Sequence, residues 1–224
     1  MVKPILIAGT DEAGRGPILG PMVMVTLAVE EENLQKLEWL GVKDSKLLSS
    51  SVREELFERI HELVYDFRVE VIEPDAIDLS LREVESNLNW LEADTTARMI
   101  SEIAPSKAYI DCPSTNIPAY HQYLFNKIDP EVRTRVDLIV EHKADVKYII
   151  VSAASVIAKV IRDRAVDAIK NKIKIDFGSG YLSDPKTQEF LKDYHDKYPE
   201  LFRRMWRPYQ DVLERKKQKC LGDF

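Results

Sequence analysis

An α/β domain built on a mixed sheet is the fold class this sequence predicts, on three observations. Two apolar runs stand early in the chain, Ile5 to Gly9 and Met22 to Val29, with Gly14-Arg15-Gly16-Pro17 in the turn between them. Strand-like and helix-like periodicities then alternate along the chain. Acidic residues recur at the ends of the strand-like runs, where open α/β sheets form their sites.

The elements follow in order. Ser51-Val52-Arg53-Glu54 has the spacing of a capping box and opens a helix whose apolar face is Leu56, Ile60, Leu63 and Val64. Phe67, Val69 and Val71 alternate with charged residues, the pattern of a half-buried strand. Trp90, Ala93, Ala97, Ile100 and Ala104 recur at helical spacing, and Ala108 to Asp111 forms a further strand stopped by Pro113. Val136 to Val140 is nearly continuous in apolar residues, as expected of a buried central strand. A long helix carries Ala154, Ala158, Ile161, Ala165 and Ala168 on one face. Helical stretches at about 185–198 and 208–219 finish the chain as a small appended lobe.

With 224 residues, 45% of them hydrophobic, the chain can bury one sizeable core plus a helical extension. Its longest apolar stretch, Ile18 to Val29, is broken by Gly20 and Pro21 and falls short of the ~20 residues a membrane span needs. The apolar start runs too soon into Asp11-Glu12 for a signal peptide. Cys112 and Cys220 give neither zinc spacing nor a disulfide framework, so a cytoplasmic location is expected. The net charge of −6 has the wrong sign for a sequence-blind nucleic-acid binder, although a cluster of catalytic carboxylates would contribute to it. Bases gather late, at Arg203, Arg204, Arg207, Arg215, Lys216, Lys217 and Lys219. They form either a solvated helix face or a phosphate contact.

Asp11, Glu12, Asp111 and Asp145 sit at or just past the ends of apolar runs. Carboxylate oxygens are hard ligands suited to magnesium or manganese. Four such groups brought together would repel one another unless cations sat among them, and two divalent ions provide a route to phosphodiester hydrolysis. Spacing alone leaves this reading open beside that of ordinary surface acids or helix caps.

The motifs narrow the choice. Asp11-Glu12-Ala13-Gly14-Arg15-Gly16-Pro17 resembles the N-terminal signature of the type 2 ribonucleases H (RNase HII). Lys43-Asp44-Ser45-Lys46, Asn87-Leu88-Asn89, Tyr109-Ile110-Asp111 and Glu141-His142-Lys143-Ala144-Asp145 resemble later motifs of that family, in the same order. So do Ser152-Ala153-Ala154-Ser155 through Arg162-Asp163, and Asp176-Phe177-Gly178-Ser179-Gly180-Tyr181 with Ser183-Asp184-Pro185. Seven segments spread over roughly residues 5 to 210 resemble the archaeal branch most.

The resemblance implies a ribonuclease H-like fold, a five-stranded mixed sheet flanked by helices with a C-terminal helical part. It implies Asp11, Glu12, Asp111 and Asp145 as catalytic metal ligands for Mg2+ or Mn2+. The implied activity is endonucleolytic hydrolysis 5′ to a ribonucleotide, in RNA–DNA hybrids and in duplex DNA with embedded ribonucleotides, leaving a 3′-hydroxyl and a 5′-phosphate. Telling ribose from deoxyribose requires a hydrogen bond to the 2′-hydroxyl. Gly14 and Gly16 lack Cβ atoms, so their backbone can approach a sugar, adopt positive φ and offer donors and acceptors. Arg15 has a planar fork for a phosphate. Tyr181, set after two glycines, can stack on the sugar or base and reach the 2′-oxygen. Lys46, and Lys143 beside Asp145, are point charges for phosphates. Asn89 would contact the nucleic-acid backbone, cap a helix, or both. His142 is expected to pack or make a structural hydrogen bond rather than act as a base.

At the C-terminus, Gln218, Leu221 and Phe224 fit the spacing Gln-x-x-Leu-x-x-Phe and resemble a sliding-clamp-binding peptide, the alternative being a plain terminus. The expected layout is a catalytic domain over 1–184, a helical part over 185–217, and a possible clamp-binding tail over 218–224, in a monomer. Leu182 stands where the family usually has proline, and Met205-Trp206-Arg207-Pro208 departs from its small-residue, Trp, basic, Thr pattern. Gly14-Arg15-Gly16 disfavours the sister type 3 enzymes, which usually lack that triplet. A non-catalytic, clamp-tethered module that only recognises hybrids is the alternative from another class.

Overall fold

A computed structural model describes residues 4–42, 49–83 and 86–222, the side chains of 215–222 excepted. Lys43, Asp44, Ser45, Lys46 and Phe224 lie outside the described residues. The sheet order is β3-β2-β1-β4-β5. Its strands are β1 (Leu6–Ala13), β2 (Met22–Glu30), β3 (Asp66–Ile72), β4 (Lys107–Asp111) and β5 (Asp137–Glu141). β1 pairs antiparallel with β2 and parallel with β4, and β4 pairs parallel with β5. The expected five-stranded mixed sheet is therefore present.

Helices α1 (Leu34–Trp39), α2 (Ser50–His61), α3 (Pro74–Arg82), α4 (Leu88–Ile103), α5 (Ile117–Lys127) and α6 (Pro130–Arg133) occupy the first two thirds of the chain. α7 (Ala144–Lys147), α8 (Ile149–Ile173), α9 (Pro185–Tyr194) and α10 (Arg207–Gly222) follow.

Residues Met1–Ala13, Val23–Val71 and Leu88–Arg162 make one compact unit, and Gly14–Met22, Ile72–Asn87 and Asp163–Phe224 make another. In the first, side chains alternate across the sheet. Ile7, Ala13, Val23, Val25, Leu27 and Val29 pack with α2 and the first half of α8. Ala8, Ala28, Ala108, Ile110 and Val140 pack with α4 and α5. Gly9 sets the closest approach, since a Cβ there would lie 2.5 Å from the backbone of Ile150. The second unit has its own core of Ile18, Leu19, Val166, Phe177, Phe190, Leu191, Phe202 and Tyr209.

Several elements depart from the sequence reading. β5 is an edge strand, not a central one; its apolar side chains are covered by helices, and coverage says nothing of how many neighbours a strand has. β1 runs on to Ala13, so Asp11 and Glu12 lie within the strand. The α2 cap is Ser49, whose side chain accepts from the amide of Val52, two residues ahead of Ser51. α3, α5 and α6 were not anticipated; all three start at or beside a proline in the first turn.

Candidate active site

β1, β4 and β5 run parallel, so their carboxyl ends share one edge of the first unit. Thr10 is in register with Ile110, and Asp111 with Glu141. This brings Asp11, inside β1, beside Asp111 at the end of β4 and starts α7, with Asp145 in its first turn, next to them. Asp11 and Asp145 are buried. The amide of Ala144 donates to Asp111 Oδ1 at 2.7 Å. Lys143 turns the chain for this contact by taking the left-handed conformation, φ +57.

Strand alternation divides the acids. Asp11 and Asp111 share the parity of Ile7, Gly9 and Tyr109, on the face that α8 covers. There Asp11 is hydrogen-bonded by the side chain of Ser155 and accepts from the Glu12 amide at 2.9 Å. Glu12 points to the opposite face, where its charge raises the titration range of both Cys112 and Tyr120 after burial has done so. Burial above all, then the charges of Glu12 and Asp111, hold the Asp11 carboxyl well above the usual carboxylate range.

Among the described residues no three His, Cys, Asp or Glu side chains are gathered tightly enough to hold an ion. The fit to a cation is electrostatic instead. A carboxylate raised first by burial and then by two neighbouring carboxylates is relieved by positive charge, and hard divalent cations suit an all-oxygen set.

Asn89 lies inside the first turn of α4, not ahead of it, so it is not that helix's cap. Lys143 is exposed. His142 bonds through Nδ1 with the Cys112 carbonyl at 3.0 Å, the structural role expected of it. Ser155 and Glu92 had been given no role. Glu92 is 1% exposed on α4, and Cys112 and Tyr120 feel its charge together with that of Glu12. It lies in a buried stripe with Thr95, Thr96 and Met99 at helical spacing, which the polar residue types hide in the sequence.

In the second unit, Gly14 is left-handed at φ +82, whereas Gly16 is not among the glycines with positive φ. The expectation for Gly16 is corrected: what it provides is the missing side chain. A Cβ there would lie 3.7 Å from Cε1 of Tyr181, so the two halves of the expected ribose reader meet. Ile18 donates to the Gly180 carbonyl at 3.0 Å and holds them together. The tyrosine loop is fixed beneath by Asp184, which accepts from Ser179 at 2.7 Å and from Lys186 at 3.0 Å, and by Thr187, which accepts from Gly180 at 3.0 Å. Tyr181 itself is 39% exposed. Leu182, at the proline position, packs against the unit's core.

The late basic run does not behave as one surface. Arg203 is fully buried, Arg204 pairs with Asp75 and Asp78, and Arg207 pairs with Asp211 at 2.7 Å along α10.

A family model described as Ribonuclease HII matches residues 8–208. The chain belongs to the ribonuclease HII family. The ribonuclease HII of Thermococcus onnurineus is 41% identical over 214 residues, covering 93% of this chain and 90% of that protein. That of Pyrococcus horikoshii is 39% identical over 225 residues, covering 97% and 98%. Among solved structures, the ribonuclease H2 of Pyrococcus horikoshii superposes with a TM-score of 0.84 at 39% identity, over 94% of this chain and 98% of that one. The RNase HII of a PCNA:RNase HII complex from Archaeoglobus fulgidus does so with 0.80 at 36%, over 92% and 96%. A Bst-RNase HIII crystallised with Mn2+ shares the fold at 22% identity and a TM-score of 0.77, over 96% and 71%. These likenesses bear out the archaeal resemblance and the ribonuclease H-like fold. Among the described residues, no helix is long and apolar enough to cross a membrane.

Proposed function

We propose that this member of the ribonuclease HII family is a cytoplasmic, divalent-metal-dependent endonuclease. It cuts 5′ to a ribonucleotide in RNA–DNA hybrids and in duplex DNA, leaving a 3′-hydroxyl and a 5′-phosphate. The observation that carries the reading is the parallel pairing of β1 with β4, which sets the buried Asp11 beside Asp111, to which the Ala144 amide ties the start of α7 and Asp145. Asp11, Glu12, Asp111 and Asp145 would hold Mg2+ or Mn2+. A bound pair of such ions supplies the Lewis acidity for phosphodiester hydrolysis.

The chain's own residues do the rest. Ser155 fixes one carboxylate and the Ala144 amide another, so the acids keep their directions when a substrate enters. The Gly14-Arg15-Gly16 turn and Tyr181 read the ribose, the turn through backbone groups and the tyrosine through its ring and hydroxyl. Arg15, Lys143 and Asn89 contact the nucleic-acid backbone, as does Lys46, which lies outside the described residues. Gln218, Leu221 and Phe224 dock on a sliding clamp; the likeness to the ribonuclease of the PCNA complex supports this.

The test is a labelled DNA duplex with one ribonucleotide, incubated with Mg2+ or Mn2+ beside all-DNA and EDTA controls. One metal-dependent cut 5′ to the ribonucleotide is expected. Tight binding without cutting would make the chain a recognition module instead. Deleting 218–224 should leave this cutting intact and abolish stimulation by a clamp.

A further inference from the structure

The buried side chain of Arg203 has no place in the reading so far. Its backbone amide donates to the Ile18 carbonyl at 2.9 Å, and Leu19 bridges Phe202, so the 202–203 segment lies along residues 18–20. The guanidinium then reaches the start of the same loop. Nη1 donates to the Arg15 carbonyl at 2.6 Å, and Nη2 donates to the Gly14 carbonyl. Nε and Nη2 both reach the Gly20 carbonyl, at 3.3 and 3.2 Å. The guanidinium lies 5.1 Å from the centroid of the Trp206 ring. A planar fork with five donors in fixed directions meets these three carbonyls with four hydrogen bonds from one position, whereas a lysine ammonium has only three donors on one freely rotating nitrogen.

These bonds fix more than the loop's closure. Across a trans peptide, a carbonyl and the next residue's amide point in opposite directions. With the carbonyls of Gly14 and Arg15 drawn onto one guanidinium, the amides of Arg15 and Gly16 are turned away from it, side by side. Gly14 has φ +82 and Arg15 is not among the residues with positive φ, a change of sign of the kind found in concave amide pairs. The carbonyls of the turn face inward, so its donors are the groups offered to a ligand oxygen.

We infer that Arg203 is the positioning residue of the ribose-reading turn: it holds the Gly14 and Arg15 carbonyls inward so that the Arg15 and Gly16 amides face the 2′-hydroxyl of the substrate. This rests on the reading of that turn given above. Arg203 touches no substrate atom. A lysine in its place keeps the charge and loses the fork, so the carbonyls are no longer held as a set.

The test uses the full chain and R203K. Affinities for an all-DNA duplex and for the same duplex with one ribonucleotide are measured in Ca2+, and kcat and KM for the second in Mg2+. The expected result is an unchanged affinity for all-DNA duplex, loss of most of the preference for the ribonucleotide, and a kcat lower by roughly tenfold or more, as a misplacement on the order of 1 Å can cause. R203K with its preference and kcat intact overturns the inference. A merely structural arginine would lower stability and weaken both affinities alike, and that result also overturns it. Should R203K fail to fold, amide NMR of the unaltered protein decides. The Arg15 and Gly16 signals move with the ribonucleotide duplex and not with the all-DNA duplex, or the inference falls. A wild-type chain that shows no preference at all would instead overturn the underlying reading, a distinguishable failure.

Discussion

The amide of Ala144 and the carboxylate of Asp111 are joined by a 2.7 Å hydrogen bond, although 33 residues separate them in the chain. Through it, the turn that carries Asp145 is tied to the end of β4.

This bond separates chemistry from structure at Asp111. Asparagine retains the Oδ1 acceptor, alanine does not. Asp111→Asn keeps the bond from the Ala144 amide and should fold normally, with Tm within about 2 °C of wild type. It should still bind substrate and lose cleavage by about a thousandfold or more, the equivalent of several kcal/mol of lost metal-ion assistance. Asp111→Ala should also lose stability. Residual cutting by Asp111→Asn near the wild-type rate would remove Asp111 from the metal site.

Asp11, a proposed metal ligand, carries a cost for the metal-free fold. Its raised titration range means that the folded chain binds a proton more readily than the unfolded chain. Stability is therefore greatest below the unfolded value and declines as pH rises toward the folded one. At neutral pH in EDTA, Asp11→Asn should raise the melting temperature by roughly 2–4 °C, about 1 kcal/mol for a chain of this length. Saturating Mg2+ or Mn2+ should reverse the order by stabilising only the wild type. A lower melting temperature for Asp11→Asn in EDTA would contradict the burial argument.

Lys143 combines an exposed charge with a left-handed backbone. For an L-residue that conformation costs roughly 1–2 kcal/mol, while glycine accepts it and loses about 1 kcal/mol to its unfolded-state freedom. The two nearly cancel, so Lys143→Gly should be close to neutral in stability. Lys143→Val should lose about 1–2 kcal/mol. If Lys143 meets a phosphate, Lys143→Gly raises KM, flattens its dependence on salt, and leaves kcat alone. Steady-state kinetics at two salt concentrations would show it.

Gly178 and Gly41 form a matched pair. Their φ angles are +78 and +73, but a Cβ at Gly178 would lie 2.3 Å from Asp184 Oδ2, whereas one at Gly41 would meet nothing within 4 Å. Gly41→Ala should cost about 1–2 kcal/mol for backbone conformation alone. Gly178→Ala should cost more, roughly 3 kcal/mol, because Asp184 is held by the amides of Ser179 and Lys186 and cannot step aside freely. Denaturant midpoints of the two variants give the comparison, and equal losses would mean that Asp184 yields.

The sequence made visible what depends on local pattern and little else. β2 is legible because it is buried from Met22 to Val29 and follows the turn residues Gly20 and Pro21. α8 is legible because its alanines repeat at helical spacing. The acids could be placed near strand ends, but setting Asp11 beside Asp111 required the parallel pairing of β1 with β4, which no spacing encodes. β5 was misplaced in the sheet because an apolar run reports cover rather than neighbours. Arg203 was missed for a related reason. Its partners lie 183 to 189 residues away, so in one dimension it looks like any other member of a basic run. Ser51 has the glutamate three residues on that a capping box asks for and Ser49 does not, yet the backbone enters the helix at Ser49.

The edge position of β5 has a consequence for how this chain behaves in a crowded solution. β3 and β5 are the outermost strands of the sheet, and an outermost strand left bare could template pairing with another molecule. Each is lined with charge instead. Asp137 meets Lys107 at 3.1 Å, and Glu141 pairs with Lys147 on the β5 side. On the β3 side, Arg68 pairs with Asp66 and with Glu102 at 2.8 Å, and Glu70 meets Arg98 at 2.9 Å. A second strand arriving at either border would have to strip water from these ions before it gained a single backbone bond, and the sheet is thereby kept from growing into its neighbours.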